Sequence, residues 1–381
     1  MKIVTREKNK IESGIKLVHG GDVYSAREQL AQQNNPLDIH DFSANVNPLG
    51  LPEGVKKAIV ESINGYSDYP DPLNRELTKA ISQYEKIPAP FILCGNGAAD
   101  LIFRLVIANK PKKAMVMAPT FAEYEEALAC VDCQVMHYYL QEENDFQLDE
   151  GLIHALDEDL DMLFLCNPNN PTGQLISKDL LYKILCRCRE LGILLVVDEC
   201  FNSFLDKPEV YSVKEYLEEF DNLLILKAFT KIYAMAGLRL GYCLSGNESL
   251  LQSMTKAGQP WSVSAVAQVA GIQAVKEEKY VEETKRLITE ERAYLVESLR
   301  ELGVLVISSG ANYIFLKWPL STKHPLHQLL LEKGFLIRNC DNYVGLSRGY
   351  YRICVKTHED NVLFVDAISE IINDIENLKE M

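Results

Sequence analysis

The sequence predicts an α/β protein: a large domain with a mostly parallel central sheet flanked by helices, plus a smaller α+β domain. Three observations carry this. Short apolar runs alternate with helical periods over the first 275 residues. The runs are apolar almost throughout, as strands covered on both faces are. After about residue 275 the texture changes to a long charged helix and isolated strands. The expected boundaries are an N-terminal arm over 1–45 that joins the small domain, a large ligand-binding domain over 46–275, and a C-terminal small domain over 276–381.

In chain order, the candidate strands of the large domain are "FILCG" (91–95), "AMVMAP" (114–119), "DMLFLCN" (161–167), "ILLVVDE" (193–199) and "NLLILKAF" (222–229). Between them, "AADLIFRLVIANK" (98–110) and "SKDLLYKILCRCRE" (177–190) have helical periodicity, and Ser177 with Asp179 suits a helix start. Such alternation is a layered α/β architecture. The charged helix, "VKEEKYVEETKRLITEERAYLVESLREL", then leads to "NYIFLKW", "GFLIR" and "YYRICVK", which read as strands of the smaller unit.

Composition narrows the function. A hydrophobic fraction of 47% over 381 residues suits a soluble globular enzyme, and no apolar run approaches the length of a membrane span. The start, "MKIVTREKNK", has no hydrophobic stretch after its charges, so no secretory signal is expected. Ten cysteines are scattered without disulfide or zinc spacing; Cys130 and Cys133 lack a second pair. A cytoplasmic location and no metal site are the expectation. The formal charge of −15 disfavours nucleic acid as a partner, since phosphate backbones need a basic footprint. Small molecules are the expected ligands.

Polar residues cluster where such a sheet places its ligands, at the carboxyl ends of strands. Asp198 closes "ILLVVD", "NPNNPTG" (167–173) follows "DMLFLC", "GNGAAD" (95–100) follows "FILC", and Lys231 follows "LLILKAF". Singly each has an ordinary reading: a turn, a helix-capping aspartate, a rigid proline turn, a surface arginine at 239. Jointly they form the set that pyridoxal 5′-phosphate requires. A lysine takes the aldehyde as a Schiff base, a carboxylate keeps the pyridine nitrogen protonated, and amides, a hydroxyl and an arginine bind the phosphate. Lys231 is then the reactive lysine, its pKa lowered by nearby cationic charge and limited solvation. A dinucleotide fingerprint is a poorer fit, because Asp100 stands at the third glycine position.

The order "NPNNPTG", "VVDE", "FTK" and "GLRLG" resembles the aspartate-aminotransferase fold, fold type I of the pyridoxal-phosphate enzymes, over about residues 40–360. The resemblance implies that Asn170 meets the cofactor's 3′-oxygen and Asp198 its ring nitrogen. Phe121 would stack on the ring, and Thr230 and Arg239, with the amides of Gly97 and Ala98, would hold the phosphate. Tyr69 in "DYPDP" would reach the phosphate of a neighbouring subunit, implying a homodimer with shared active sites. Arg352 in "YYRICVK" would grip a substrate α-carboxylate. Two positions depart from the family pattern: Phe201 stands where a tyrosine is usual, and Ala228 where a hydroxyl residue is usual.

Within that fold, "HGGD" (19–22), "DFSANVNPLG" (41–50), "QPWSVSAVAQ" (259–268) and "RNCDNYVGL" (338–346) resemble the L-threonine-O-3-phosphate decarboxylases of cobalamin biosynthesis. Histidinol-phosphate aminotransferases share the cofactor motifs and are the alternative. Either substrate is a small phosphorylated amine. His19, Asn45, Asn170, Arg338 and Arg352 are the expected substrate-binding residues; for His19 an ordinary hydrogen-bonded histidine is an equally good reading.

Overall fold

The structure is a computed structural model that describes residues 20–32, 37–307, 309–320 and 324–380. Its centre is a seven-stranded sheet in the spatial order Ile92–Gly95, Gly241–Leu244, Leu223–Ala228, Leu194–Asp198, Met162–Cys166, Lys113–Ala118, Gln134–Tyr139. All pairings are parallel except those of Gly241–Leu244, which runs antiparallel to both neighbours. The five expected strands are present. The two others are a half-exposed edge strand, Gln134–Tyr139, and the short antiparallel strand.

The strands are apolar throughout because both faces are covered. Val196, Leu224 and Leu226 pack with Leu101 and Ile102 of the helix Gly97–Asn109. Leu195, Val197, Leu223 and Ile225 share a second core with Leu181 and Ile184 of the helix Lys178–Leu191. That helix begins at Ser177, whose hydroxyl accepts the Leu180 amide at 3.3 Å, and ends at Gly192 with φ 74°. Successive strand residues face opposite sides. Asp198 therefore follows the alternation of Val196, while Glu199 and Lys227 follow that of Val197 and Ile225.

The antiparallel strand fixes an arrangement that matters below. The chain leaves Leu223–Ala228, forms the short helix Phe229–Ile232, and re-enters the sheet so that Gly241 pairs with Ala228. Lys231 and Arg239 thereby lie at the same end of the sheet. A parallel return would need a longer crossover and would start from the opposite end. Gly241 is obligatory here: a Cβ would stand 2.6 Å from the Ala98 amide nitrogen and 3.0 Å from the Lys227 carbonyl oxygen.

The smaller unit contains a four-stranded antiparallel sheet in the order Arg338–Asn339, Tyr350–Cys354, Tyr313–Lys317, Leu305–Ile307. The helices Glu278–Glu301 and His358–Glu380 belong to it. A two-stranded parallel pair, His40–Asp41 with Phe335–Leu336, ties the N-terminal segment to this unit. Among the described residues no helix is long and apolar enough to cross a membrane.

Candidate active site

A cavity of about 220 Å³ opens at the carboxyl ends of the parallel strands, where the two units meet. Its wall includes Ala98, Phe121, Asn170, Asp198, Thr230, Lys231 and Arg239 from the large sheet's loops, and Asn45, Arg338 and Arg352 from the other side. Three expected residues are not on this wall. Gly97 lies just behind it, with φ +83° and the Arg239 Nη2 2.7 Å from where its Cβ would be. Tyr69 is 81% exposed and lies against Trp261, ring centroids 4.8 Å apart and planes tilted by 35°. His19 lies outside the described residues.

Lys231 is the site's amine. Enclosure in the cavity lowers its pKa, and the guanidinium groups of Arg352 and then Arg239 lower it further. Its Nζ stands 5.8 Å from the centroid of the Phe201 ring, an apolar floor that supplies no hydrogen bond. Asp198, 4% exposed, is the site's fixed anion. Its Oδ2 accepts the Tyr124 hydroxyl at 2.8 Å and its Oδ1 the Cys200 amide at 2.9 Å. Burial, with the charge of Asp198, pushes the Tyr124 hydroxyl well above its usual pKa, so Tyr124 keeps the proton it donates to Asp198.

The helix Gly97–Asn109 directs its first turn at the cavity, with Ala98 and Ala99 on the wall. Asp100 is what shapes this turn. Its carboxylate accepts the Asn96 amide at 2.8 Å and the Arg104 Nε at 2.9 Å. The residue that breaks the dinucleotide pattern thus holds the loop, leaving the free amides of the helix start for an anion.

Arg352 is a buried cation. It is 6% exposed, its Nη1 donates to the Asn170 Oδ1 at 2.5 Å and its Nη2 to the Ser43 carbonyl at 2.7 Å. Its Nε is buried without a partner. Asn45, 2% exposed, has both amide atoms buried and unpaired. Unpaired buried groups of this kind are costly unless a ligand meets them. Arg338, at the end of its short strand, donates to the Asn339 carbonyl and to the Asn342 Oδ1 at 2.9 Å, and its guanidinium lies 5.1 Å from the Tyr343 ring centroid.

These observations fit pyridoxal 5′-phosphate. A depressed amine, a fixed carboxylate, a flat aromatic at Phe121, an anion-binding helix start beside Arg239, and an asparagine whose Oδ1 is engaged so that Nδ2 remains a donor are the donor set it needs. Sequence reasoning missed Tyr124, Glu123 and Tyr343. Tyr124 is three residues after Phe121 in "PTFAEY", and Tyr343 lies in "RNCDNYVGL". Their location in those motifs was the available signal.

A second group of buried charges lies on the opposite alternation. Lys227 Nζ is 2.9 Å from the Glu199 Oε2 and 4.0 Å from the Glu85 Oε1. Glu85 also receives the Lys214 amine at 2.8 Å and the Tyr242 hydroxyl at 2.5 Å, and Glu199 the Ser212 hydroxyl at 2.9 Å. None of these residues lines the cavity.

Comparison with known proteins adds four likenesses. The class I and II aminotransferase family profile matches residues 38–368. The chain is 36% identical to a threonine-phosphate decarboxylase of Salmonella typhimurium, over 94% of this chain and 97% of that protein. It is 35% identical to a histidinol-phosphate aminotransferase of Desulfitobacterium hafniense, over 88% and 92%. The crystal structure of the histidinol-phosphate aminotransferase from Clostridium acetobutylicum superposes with a TM-score of 0.82 at 31% identity, covering 87% of this chain and 99% of that one.

Proposed function

The chain belongs to the class I and II aminotransferase family, enzymes that work through pyridoxal 5′-phosphate, and from that membership we propose that it decarboxylates L-threonine O-3-phosphate to (R)-1-amino-2-propanol O-2-phosphate. The observation that supports the choice is the number of arginines. Arg239, Arg338 and Arg352 line one cavity. One guanidinium serves the cofactor phosphate, and two remain for a substrate that carries both a phosphate and a carboxylate. Histidinol phosphate has no carboxylate, so amino transfer would call on the second of these guanidinium groups only in its half-reaction with a 2-oxo acid.

In this reading Lys231 holds the cofactor's aldehyde, Asp198 faces its ring nitrogen, Asn170 donates to its 3′-oxygen, and Phe121 lies against the ring. Thr230, Arg239 and the amides of Gly97 and Ala98 hold its phosphate. When bound, the cofactor supplies an electron sink for the bond broken at Cα. The protein's own work is orientation. Arg352 takes the substrate carboxylate, and Arg338 with Asn45, and His19 from the arm, take the distal phosphate, so that the Cα–carboxylate bond is the one placed to break. Asn45's two unpaired amide atoms gain partners on binding. Lys231 then returns a proton to Cα.

The active unit in this proposal is a homodimer in the cytoplasm. Tyr69, exposed and off the wall of its own cavity, serves the phosphate site of the second copy, and the exposed Val60, Ile63 and Leu73, close to it in sequence, are apolar surface that a second copy would cover. All ten cysteines carry free thiols, in keeping with a reducing compartment. Tyr69→Phe should raise the cofactor dissociation constant, and mixing it with Lys231→Ala protein should restore partial activity through hybrid dimers; a fully active monomer in sedimentation would refute shared sites.

Incubation with each substrate tests the reaction. Carbon dioxide release from phosphothreonine, with the cofactor left in its aldehyde form, is expected. Conversion of the cofactor to its amine form by histidinol phosphate, reversed by a 2-oxo acid, would instead establish the aminotransferase.

A further inference from the structure

Which bond breaks at Cα depends on the angle between the bound ring and the groups that hold the substrate. The ring's contacts, Asn170 and Phe121, stand on loops of the large sheet. The carboxylate's contact, Arg352, stands on the strand Tyr350–Cys354 of the small unit. The reaction therefore needs that strand held at a fixed angle to those loops.

Tyr313 is placed to hold it. It opens the strand Tyr313–Lys317, is fully buried, and does not line the cavity. In the antiparallel pairing Tyr313 stands opposite Cys354 and Phe315 opposite Arg352, so Tyr313 and Arg352 are diagonal neighbours on one face. The Arg352 guanidinium carbon lies 5.6 Å from the Tyr313 ring centroid, within the range of a cation–π contact. The same ring meets Phe201 edge to face, centroids 5.0 Å apart and planes at 78°.

The hydroxyl crosses to the large domain. It donates to the Asn169 carbonyl at 2.7 Å, an oxygen that also accepts the Gly173 amide at 2.6 Å. Burial pushes the hydroxyl well above its usual pKa, with Arg352 opposing, so it keeps the proton it donates. Asn169 joins the loops of the site. Its Oδ1 accepts the Thr120 hydroxyl at 2.9 Å, and its Nδ2 donates to the Pro119 carbonyl at 3.1 Å and to the Thr172 hydroxyl at 2.9 Å. Phe121 follows Thr120, Asn170 follows Asn169, and the Asn170 Oδ1 accepts the Arg352 Nη1. The contacts close a circuit from Tyr313 to Asn169, through Asn170 to Arg352, and back to the Tyr313 ring.

Resting on the decarboxylase reading, we infer that Tyr313 is a positioning residue that fixes the carboxylate grip of Arg352 against the ring contacts Asn170 and Phe121, and so keeps the Cα–carboxylate bond, not the Cα–H bond, aligned for cleavage. It acts through Arg352 and Asn169 and touches neither substrate nor cofactor. Without the hydroxyl the grip loosens, and a share of turnovers lose the Cα proton instead. In those turnovers the proton moves from Cα to the cofactor's former aldehyde carbon and the nitrogen stays with the cofactor. Water then releases the substrate as a 2-oxo acid that retains its carboxylate; Cα is oxidised and the cofactor is reduced to its amine form.

Tyr313→Phe removes one oxygen and leaves the Asn169 carbonyl its Gly173 partner, so the fold should persist. With holoenzyme and phosphothreonine, the ratio of carbon dioxide released to cofactor converted to its amine form should fall by roughly tenfold from the wild-type value, with 2-oxo acid appearing in step with the amine form. Binding of pyridoxal 5′-phosphate to the cofactor-free variant, followed by absorbance, should weaken by about threefold, because the loops carrying Asn170 and Phe121 lose a tether. Lys227→Met, which disturbs the buried charges on the other alternation of the sheet, should keep the wild-type ratio. A wild-type ratio in Tyr313→Phe, while carbon dioxide is still released, would overturn the assignment alone, as would unchanged cofactor binding or an equal fall in Lys227→Met. Absence of carbon dioxide release from the wild type would overturn the parent reading and this role with it.

Discussion

Lys227 and Lys231 stand four residues apart around the end of one strand, both enclosed, yet their proton affinities shift in opposite directions. For Lys227 burial acts to lower the pKa, but the carboxylates of Glu199 and Glu85 outweigh it and the amine is held protonated. For Lys231 burial also lowers the pKa, and the guanidinium groups of Arg352 and Arg239 reinforce it. Enclosure is common to both. The partners decide whether a buried lysine becomes a structural cation or a nucleophile.

The largest effect should come from exchanging these roles by deletion. Lys231→Ala should abolish turnover and leave the thermal midpoint near wild type, and borohydride, which should fix the cofactor to the peptide carrying residue 231 in the wild type, should fix none in the variant. Lys227→Met should do the reverse. It leaves Glu199 and Glu85 buried without their cation, a loss of about 3–5 kcal/mol in urea unfolding, with activity per folded molecule largely kept. An active Lys231→Ala protein, or a stable Lys227→Met protein, would break the contrast.

A smaller effect should follow from the anion that faces the reactive side. Asp198→Asn should lower turnover by on the order of 10²-fold or more, because a preorganised charge is lost. Tyr124→Phe removes one donor to that carboxylate and should cost roughly tenfold, in line with a hydrogen bond to a charged group. Loss of stability with unchanged turnover in both would make Asp198 a structural cap of the Cys200 turn.

The smallest effect should appear in acid, on the structural side. The Glu85 carboxyl, against the opposing cost of burial, is held down at about 2 by Lys227, Lys214 and Tyr242, from an ordinary 4.5. Because the folded-state pKa is the lower one, the stability it contributes is present above pH 4.5 and is lost as pH falls toward 2. Tyr242→Phe takes away one group that holds the folded-state value down, so in equilibrium unfolding the acid loss should be smaller and should finish at higher pH; superimposable acid profiles would sharpen the account to the two lysines alone.

The contrast also shows what a sequence discloses. Asp198 and Lys231 are legible because each is a polar residue ending an apolar run that has to be a buried strand. Lys227 sits inside such a run and reads as a strand residue; its meaning depends on Glu85, which is 142 positions earlier and no pattern links to it. Glu123 and Tyr124 escape for another reason. An acidic residue at a helix start is ordinary, and only the fold shows that this start borders a cavity. The strands Gln134–Tyr139 and Gly241–Leu244 were not visible because one is a half-exposed edge and the other is four residues long and opens with a glycine. The helix Glu278–Glu301 lies inside the charged stretch expected over 275–302, since a long amphipathic pattern identifies itself.

The antiparallel return of the chain to Gly241 has a consequence for how this protein tolerates change. Residues 229–240 are a closed span whose two ends are pinned by the pairing of Ala228 with Gly241, and within it Lys231 and Arg239 both serve the same cavity. A substitution along that span, whether at buried Phe229 or Met235 or at a residue of the site, acts locally and leaves the register of the rest in place. A single added or deleted residue would shift the register of everything between the pins, carrying the guanidinium away from the helix start it faces or the amine out of its pocket. The segment is more exposed to a change in length than to a change in composition, and a length scan across 233–238 would find the site failing as a unit long before the sheet does.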